Sequence, residues 1–180
     1  MNKLLIELIK EGGVGVLGTD TIYGLVGSAL LPATVERIYK IKERDTNKPL
    51  IILISSLADL KLFKVKADKK LLAQYWPGKV SIILPCPYKR FAYLHRGTNA
   101  LAFRLPAKEN LVRLLKKTGP LVAPSANPEG LEPAKTIKQA KEYFDDSIDF
   151  YLDEGKLTSL PSTLIAFSEN NPIIKRKGAI

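Results

Sequence analysis

Apolar residues recur along this chain with two periods, and the switches between them mark out its elements. Residues 2–11 carry apolar side chains at 4, 5, 8 and 9, the spacing of one helical face, and Gly12-Gly13 supplies a stop. Residues 14–17 read as a strand that empties into the polar Thr19-Asp20-Thr21, and residues 25–30, with the small Gly27, Ser28 and Ala29, read as a second strand. Pro32 suits the first turn of a helix reaching about Lys42, with Val35, Ile38, Tyr39 and Ile41 facing inward. Residues 50–54, LIILI, form a continuous apolar run of strand length, expected of a central strand buried on both faces.

Further along, Ser55 or Ser56 can cap a short helix through Leu60. Residues 67–75 suggest another, stopped by Trp76-Pro77-Gly78. Strands are expected at 80–84, 101–105, 121–123, 148–152, 162–167 and 173–176. An amphipathic helix is expected at 108–117, and a second after Thr136, whose spacing to Gln139 is that of a capping box, through Phe144. The loop 85–99 interleaves Lys89, Arg90, His95 and Arg96 with Tyr88, Phe91 and Tyr93. It reads as a loop folding its own aromatics onto the body, with stacking on single-stranded nucleic acid as the alternative. Elements alternate early and become strand-rich late. That order predicts an α/β fold, a twisted sheet of mixed parallel and antiparallel strands with helices on both faces. No internal repeat, linker or low-complexity segment is legible.

Composition narrows the chemistry. A length of 180 residues with 46% hydrophobic content suits a single domain, residues 1–180, with a good-sized core. No apolar run approaches the roughly 18 residues of a membrane span, and Glu7 and Lys10 interrupt the only stretch resembling a leader. A cytoplasmic protein without membrane contact is therefore expected. One cysteine, Cys86, and one histidine, His95, exclude an internal disulfide framework and a multi-cysteine metal site. The net charge of +10 favours anionic partners such as nucleotides or RNA, although Lys64, Lys66, Lys69, Lys70, Lys116, Lys117, Lys138 and Lys141 read as solvated surface.

Three stretches carry candidate chemistry. GVLGTDTIYGL at 15–25 puts hydroxyls and a carboxylate at a strand mouth, with Gly18 and Gly24 permitting close approach. Lys42, Arg44 and Lys48 gather three cations beside a buried strand, a local field suited to phosphates or carboxylates. Pro124-Ser125-Ala126-Asn127 offers small residues and an amide that both donates and accepts. Neither GxxxxGK[ST] nor GxGxxG occurs, and Ser125 lacks a GxSxG elbow, so a nucleotide would be held in another way and no covalent nucleophile is evident.

GTDTIYGL, KER followed by KPL, WPGKVSIILP, FRLP, PSANPEG, PSTLIAF and the terminal IKRKGAI resemble, in order, the motifs of the YrdC-like threonylcarbamoyl-adenylate synthases. The likeness spans nearly the whole chain. It implies a three-layer fold around a positive cleft, and a reaction in which L-threonine, bicarbonate and ATP give threonylcarbamoyl-adenylate and pyrophosphate for threonylcarbamoyladenosine in tRNA. Carried over by position, it implies Thr19 and Thr21 at the threonine or carbamate end, with Arg104 and Ser162 contributing there. Lys42, Arg44 and Lys48 are implied on the phosphates, Lys42 and Arg44 as catalytic cations. Ser81, Ser125, Asn127 and Arg176 are implied at the nucleotide. Magnesium is implied with ATP, and no protein metal site. The carbamate must attack the α-phosphorus of another anion, which suits cations and hydrogen-bond donors in place of a nucleophile.

Gly18, Lys79 and Lys177 stand where that family usually has proline, and Pro128-Glu129 where a polar residue and serine are more typical. The extent of the chain resembles the short form of the family. Its partners would be the three substrates, tRNA or double-stranded RNA, and a downstream tRNA threonylcarbamoyl-transferase complex, reached through released product. A non-catalytic double-stranded RNA or tRNA-binding module shares the expected fold and charge but has no requirement for Ser125 and Asn127. A carbamoyl-transfer domain like that of hydrogenase maturation proteins is the remaining alternative.

Overall fold

The computed structural model describes residues 3–169 and 171–179. Among these, the strands are β1 (Gly15–Gly18), β2 (Tyr23–Ser28), β3 (Ile51–Leu53), β4 (Val80–Pro85), β5 (Ala100–Arg104), β6 (Leu121–Val122), β7 (Phe150–Tyr151), β8 (Thr163–Ser168) and β9 (Asn171–Arg176). The α-helices are α1 (Lys3–Lys10), α2 (Pro32–Ile41), α3 (Lys69–Leu72), α4 (Ala92–His95), α5 (Glu109–Thr118) and α6 (Ile137–Phe144). The strands form one sheet in the order β7-β1-β2-β6-β3-β5-β4-β8-β9. The pairs β1/β7, β3/β5 and β4/β8 are parallel and the other neighbours antiparallel. The expected mixed sheet is therefore present, and the LIILI run lies at its middle.

Strand periodicity divides the core into two layers. Val16, Leu25, Ile52 and Val122 point toward α2, α3, α4 and α6. Their chain neighbours Leu17, Val26, Leu53 and Leu121 point the other way, toward Ile6 and Ile9 of α1 and Leu111, Leu114 and Leu115 of α5. Helix α2 lies so close to β2 that a Cβ on Gly27 would come within 2.5 Å of the Thr34 methyl. Small residues in that strand are a packing requirement.

Several boundaries differ from the sequence reading for local reasons. Asn2, the expected start of the first helix, lies outside the described residues. In α1 the buried face is Ile6 and Ile9, with Leu4 73% exposed, so the face is turned from the 4, 5, 8, 9 pattern. The turn at Gly12 and Gly13 folds back on the helix, with the Gly13 N–H donating to the Leu8 carbonyl. Strand β2 starts at Tyr23, before the expected Leu25, because residues 19–22 close a hairpin whose last pair is Gly18 with Tyr23. The short helix after Ser56 is a 3-10 helix over Leu57–Phe63, secured by a capping box with Asp59. In contrast, α3 holds for only Lys69–Leu72. Loop 85–99 contains α4, and its Phe91 is buried while the Tyr93 hydroxyl donates to the Ala29 carbonyl, so those aromatics serve the body of the protein.

The face covered by α1 and α5 continues past them onto β5, β4 and β8. There Ala100, Ala102 and Arg104 of β5, Ile83 of β4 and Leu164 of β8 line a cavity in place of a helix contact. Small side chains on alternate positions of β5 leave that space.

Candidate active site

The cavity holds about 320 Å³, within the size range of small-molecule sites. It is lined by Thr19, Thr21, Arg44, Arg104, Ser125, Ser162 and Arg176, seven of the residues singled out by sequence. Lys42, Lys48, Ser81 and Asn127 lie outside the lining, each engaged with a neighbouring part of the chain.

The hairpin loop supplies a directed hydrogen-bond relay. Arg104 Nη1 donates to Thr21 Oγ1 at 3.2 Å, and the two threonine hydroxyls meet at 3.0 Å. Thr19 Oγ1 donates onward to the Ile22 carbonyl at 2.7 Å and accepts from the Thr21 N–H. Since the Thr19 proton goes to Ile22, the proton between the hydroxyls belongs to Thr21. Thr19 is thereby consumed in shaping the loop, whereas Thr21 keeps acceptor capacity for a ligand. Arg104 Nη2 pairs with Asp20 Oδ1 at 3.1 Å, and Arg104 Nε is buried without a partner. Burial pushes the Arg104 guanidinium down from its ordinary value, Asp20 pulls it up, and the field of Arg176 lowers it further.

The cationic cluster is split by the way α2 ends. Lys42 is its C-cap, and Glu43 follows in a left-handed conformation at φ 51°. Arg44 N–H bonds back to the Tyr39 carbonyl and Glu43 N–H to the Lys40 carbonyl, a Schellman ending. The chain reversal sends the two side chains apart. Arg44 enters the cavity, its Nε donating to the Lys48 carbonyl at 3.2 Å. Lys42, expected on the phosphates, instead turns beneath the PSAN loop and is 1% exposed. Its Nζ donates to the carbonyls of Ser125 at 2.7 Å and Asn127 at 2.5 Å, and the Ser125 carbonyl also accepts from the Asn127 N–H at 3.0 Å. Burial, reinforced by Arg44, pushes Lys42 down to about 8. Asn127 spends its amide on the Pro128 and Leu131 carbonyls, so it shapes the loop that presents Ser125. Lys48 points outward to Glu129, at 2.5 Å.

On the far side of the cavity Ser81, fully buried, bonds to Ser162 Oγ at 2.8 Å, and Arg176 Nη2 donates to the Ser162 carbonyl at 2.9 Å. The following segment locks this corner. Ala179 N–H donates to the Pro161 carbonyl at 2.7 Å, and a Cβ on Gly178 would strike that same carbonyl. Burial and the nearby Arg44 both lower the Arg176 guanidinium. Arg44, Arg104 and Arg176 thus share one cavity and repel one another, with Asp20 paired to one of them.

Sequence reasoning left Asp20, Tyr23, Glu129 and Glu154 without roles. Tyr23 lines the cavity while its hydroxyl accepts from Glu154 N–H at 2.9 Å and donates to the Gly155 carbonyl at 2.7 Å. Glu154 also pairs with Lys108, and its carboxylate end lies where a Cβ on Gly18 would sit. Only a tyrosine directly behind the threonine loop hinted at such an anchor. Tyr23→Phe is expected to cost about 1–2 kcal/mol in chemical denaturation and to speed amide hydrogen exchange at Glu154. Unchanged exchange there would mean the hydroxyl does not hold this segment.

Among the described residues no helix is long and apolar enough to cross a membrane, and no three His, Cys, Asp or Glu side chains converge as a metal site. Cys86 is buried and unpaired to any other cysteine.

Comparison with known proteins gives the geometry a context. The Sua5/YciO/YrdC family model, described as telomere recombination, matches residues 7–178. The threonylcarbamoyl-AMP synthase of Pyrococcus abyssi is 31% identical over 183 residues, covering 99% of this chain and 54% of its own length. That of Hahella chejuensis is 34% identical over 160 residues, covering 86% of each. The crystal structure of P. abyssi Sua5 complexed with L-threonine superposes with a TM-score of 0.87 at 30% identity, over 97% of this chain and 53% of that one. The chain spans about half the length of the Pyrococcus relative and of a Bacillus subtilis threonylcarbamoyl-AMP synthase, which it covers to 52%.

Proposed function

The chain belongs to the Sua5/YciO/YrdC family, and we propose that it is a threonylcarbamoyl-AMP synthase, a nucleotidyltransferase that joins L-threonine, bicarbonate and ATP. The observation that carries this reading is the convergence of Arg44, Arg104 and Arg176 on one cavity with a single carboxylate among them. Three mutually repelling guanidinium groups are stabilised by an anionic ligand, and the reaction brings two anions together. The Pyrococcus relative crystallised with L-threonine supports the choice of amino acid.

In this reading bicarbonate converts the threonine amine to a carbamate with loss of water. A carbamate oxygen then forms a bond to the α-phosphorus as the bond to the bridging oxygen of pyrophosphate breaks. Arg44 and Arg176 hold the phosphates, with the Ser125 hydroxyl as a donor beside them. Thr21 and Arg104 take the threonine carbamate, and Asp20 keeps the Arg104 fork fixed. Ser81 orients Ser162, and Lys42 and Asn127 hold the PSAN loop in place. Lys48 joins the phosphate site from the rim. Magnesium enters with ATP as part of the substrate. The adenylate then serves the threonylcarbamoylation of tRNA.

Pyrophosphate release by the purified protein with magnesium–ATP is the deciding experiment. Release is expected to depend on both L-threonine and bicarbonate and to be weaker with serine. Absence of release, with a folded protein that binds double-stranded RNA, would replace this reading by the RNA-binding one.

A further inference from the structure

The sequence groups Lys48 with Arg44, yet the structure gives it a different partner. Glu129 Oε1 lies 2.5 Å from Lys48 Nζ, and its other oxygen accepts from the Asp45 N–H at 2.6 Å. The Glu129 backbone N–H donates to the Lys42 carbonyl at 2.7 Å. One residue therefore fastens the segment that carries Arg44 to the turn that follows Ser125 and Asn127. The next residues after Lys48, Pro49 and Leu50, already line the cavity, and the Lys48 carbonyl receives the Arg44 Nε–H. The Lys48 stem thus starts at the cavity edge while its ammonium is held outside. Its side chain is 54% exposed and that of Glu129 28%, so the pair can part without opening the core.

We propose that Glu129 is an internal counter-ion that competes with a polyphosphate chain for Lys48. This rests on the nucleotide reading and adds a residue that neither binds substrate nor reacts. In the empty site Glu129 holds Lys48 and keeps a fourth cation from adding to the repulsion among the three arginines. When a triphosphate or pyrophosphate enters, its oxygens displace the carboxylate and Lys48 turns inward. When pyrophosphate is the product, Glu129 recaptures Lys48 and favours its departure. An exposed ion pair is worth little, so the exchange is close to balanced in either direction. The Asp45 N–H contact stays with Glu129 throughout, so Arg44 keeps its place while Lys48 moves.

Glu129→Gln separates the two roles, since the amide oxygen still accepts from Asp45 while the charge is gone. Calorimetric titration with inorganic pyrophosphate is expected to give a Kd about three- to tenfold lower in Glu129→Gln than in the wild type. The gain should vanish when Glu129→Gln is placed on Lys48→Ala, and pyrophosphate should inhibit Glu129→Gln turnover more strongly. Equal affinity in Glu129→Gln and the wild type would overturn the proposal and leave the nucleotide reading intact. An equal gain without Lys48 would overturn it too, by showing a general charge effect. If the wild type binds neither pyrophosphate nor ATP, the nucleotide reading falls and this proposal falls with it. Thermal melting of each variant distinguishes these results from loss of the fold.

Discussion

Arg44→Ala is expected to lower kcat/KM for threonine-dependent pyrophosphate release by about 10²–10³-fold, the usual consequence of removing one preorganised donor from a developing anion. The melting temperature should stay within the range of surface substitutions. Arg44 is only partly buried, and its side chain donates from Nε to the Lys48 carbonyl at 3.2 Å. The remaining guanidinium edge belongs to the cavity. Its removal relieves repulsion on Arg176, whose guanidinium is lowered in part by Arg44. The empty protein therefore has no reason to be less stable without it. The loss should appear when two anions must be brought together. Arg44→Lys is expected to recover only part of the rate, because a point charge does not reproduce the planar fork. Wild-type turnover in Arg44→Ala would remove Arg44 from the phosphate site and leave Arg176 as the principal candidate.

The difference between Arg44 and Lys42 marks the limit of what the sequence discloses here. Locally encoded features were legible: the apolar run at the sheet centre, Pro32 at a helix start, and the three polar stretches at 19–21, 42–48 and 124–127 that do converge. The two-layer core follows from strand alternation and was also readable in outline. The direction of each side chain was not. Lys42 and Arg44 look equivalent in a string of letters, but the left-handed Glu43 between them turns one inward beneath a loop and the other into the cavity. Glutamate gives no such warning, since glycine is the usual residue at that point of a Schellman ending. Pairings across distant parts of the chain were likewise hidden. Asp20 with Arg104, Tyr23 with Gly155 and Lys48 with Glu129 each depend on where the sheet order brings the loops. None of these partners shares a local period.

Lys42 should behave differently from Arg44 in every measurement. Lys42→Met takes the ammonium away from the Asn127 carbonyl and from the Ser125 carbonyl, which keeps only the Asn127 N–H, and a loss of about 1–3 kcal/mol at pH 7 is expected along with loss of turnover. The pH dependence distinguishes this role from ordinary packing. Burial lowers Lys42 from 10.5 to about 8, so the folded chain releases this proton more readily than the unfolded chain. Between those values the unfolded state binds more protons, and stability contributed by this group rises with pH. Below pH 8 the cost of a buried ammonium is fully present, and it is relieved as the amine forms. The lowering corresponds to about 3 kcal/mol over the whole window. Denaturant titrations of wild type and Lys42→Met at pH 7.5, 8.5 and 9.5 should therefore show a stability gap that widens toward alkaline pH. Subtracting the variant removes contributions common to the two proteins. Parallel curves would mean that the carbonyl oxygens around Nζ hold the proton against burial. Lys42 would then remain an ammonium throughout that range, fastening the PSAN loop as a fixed charge.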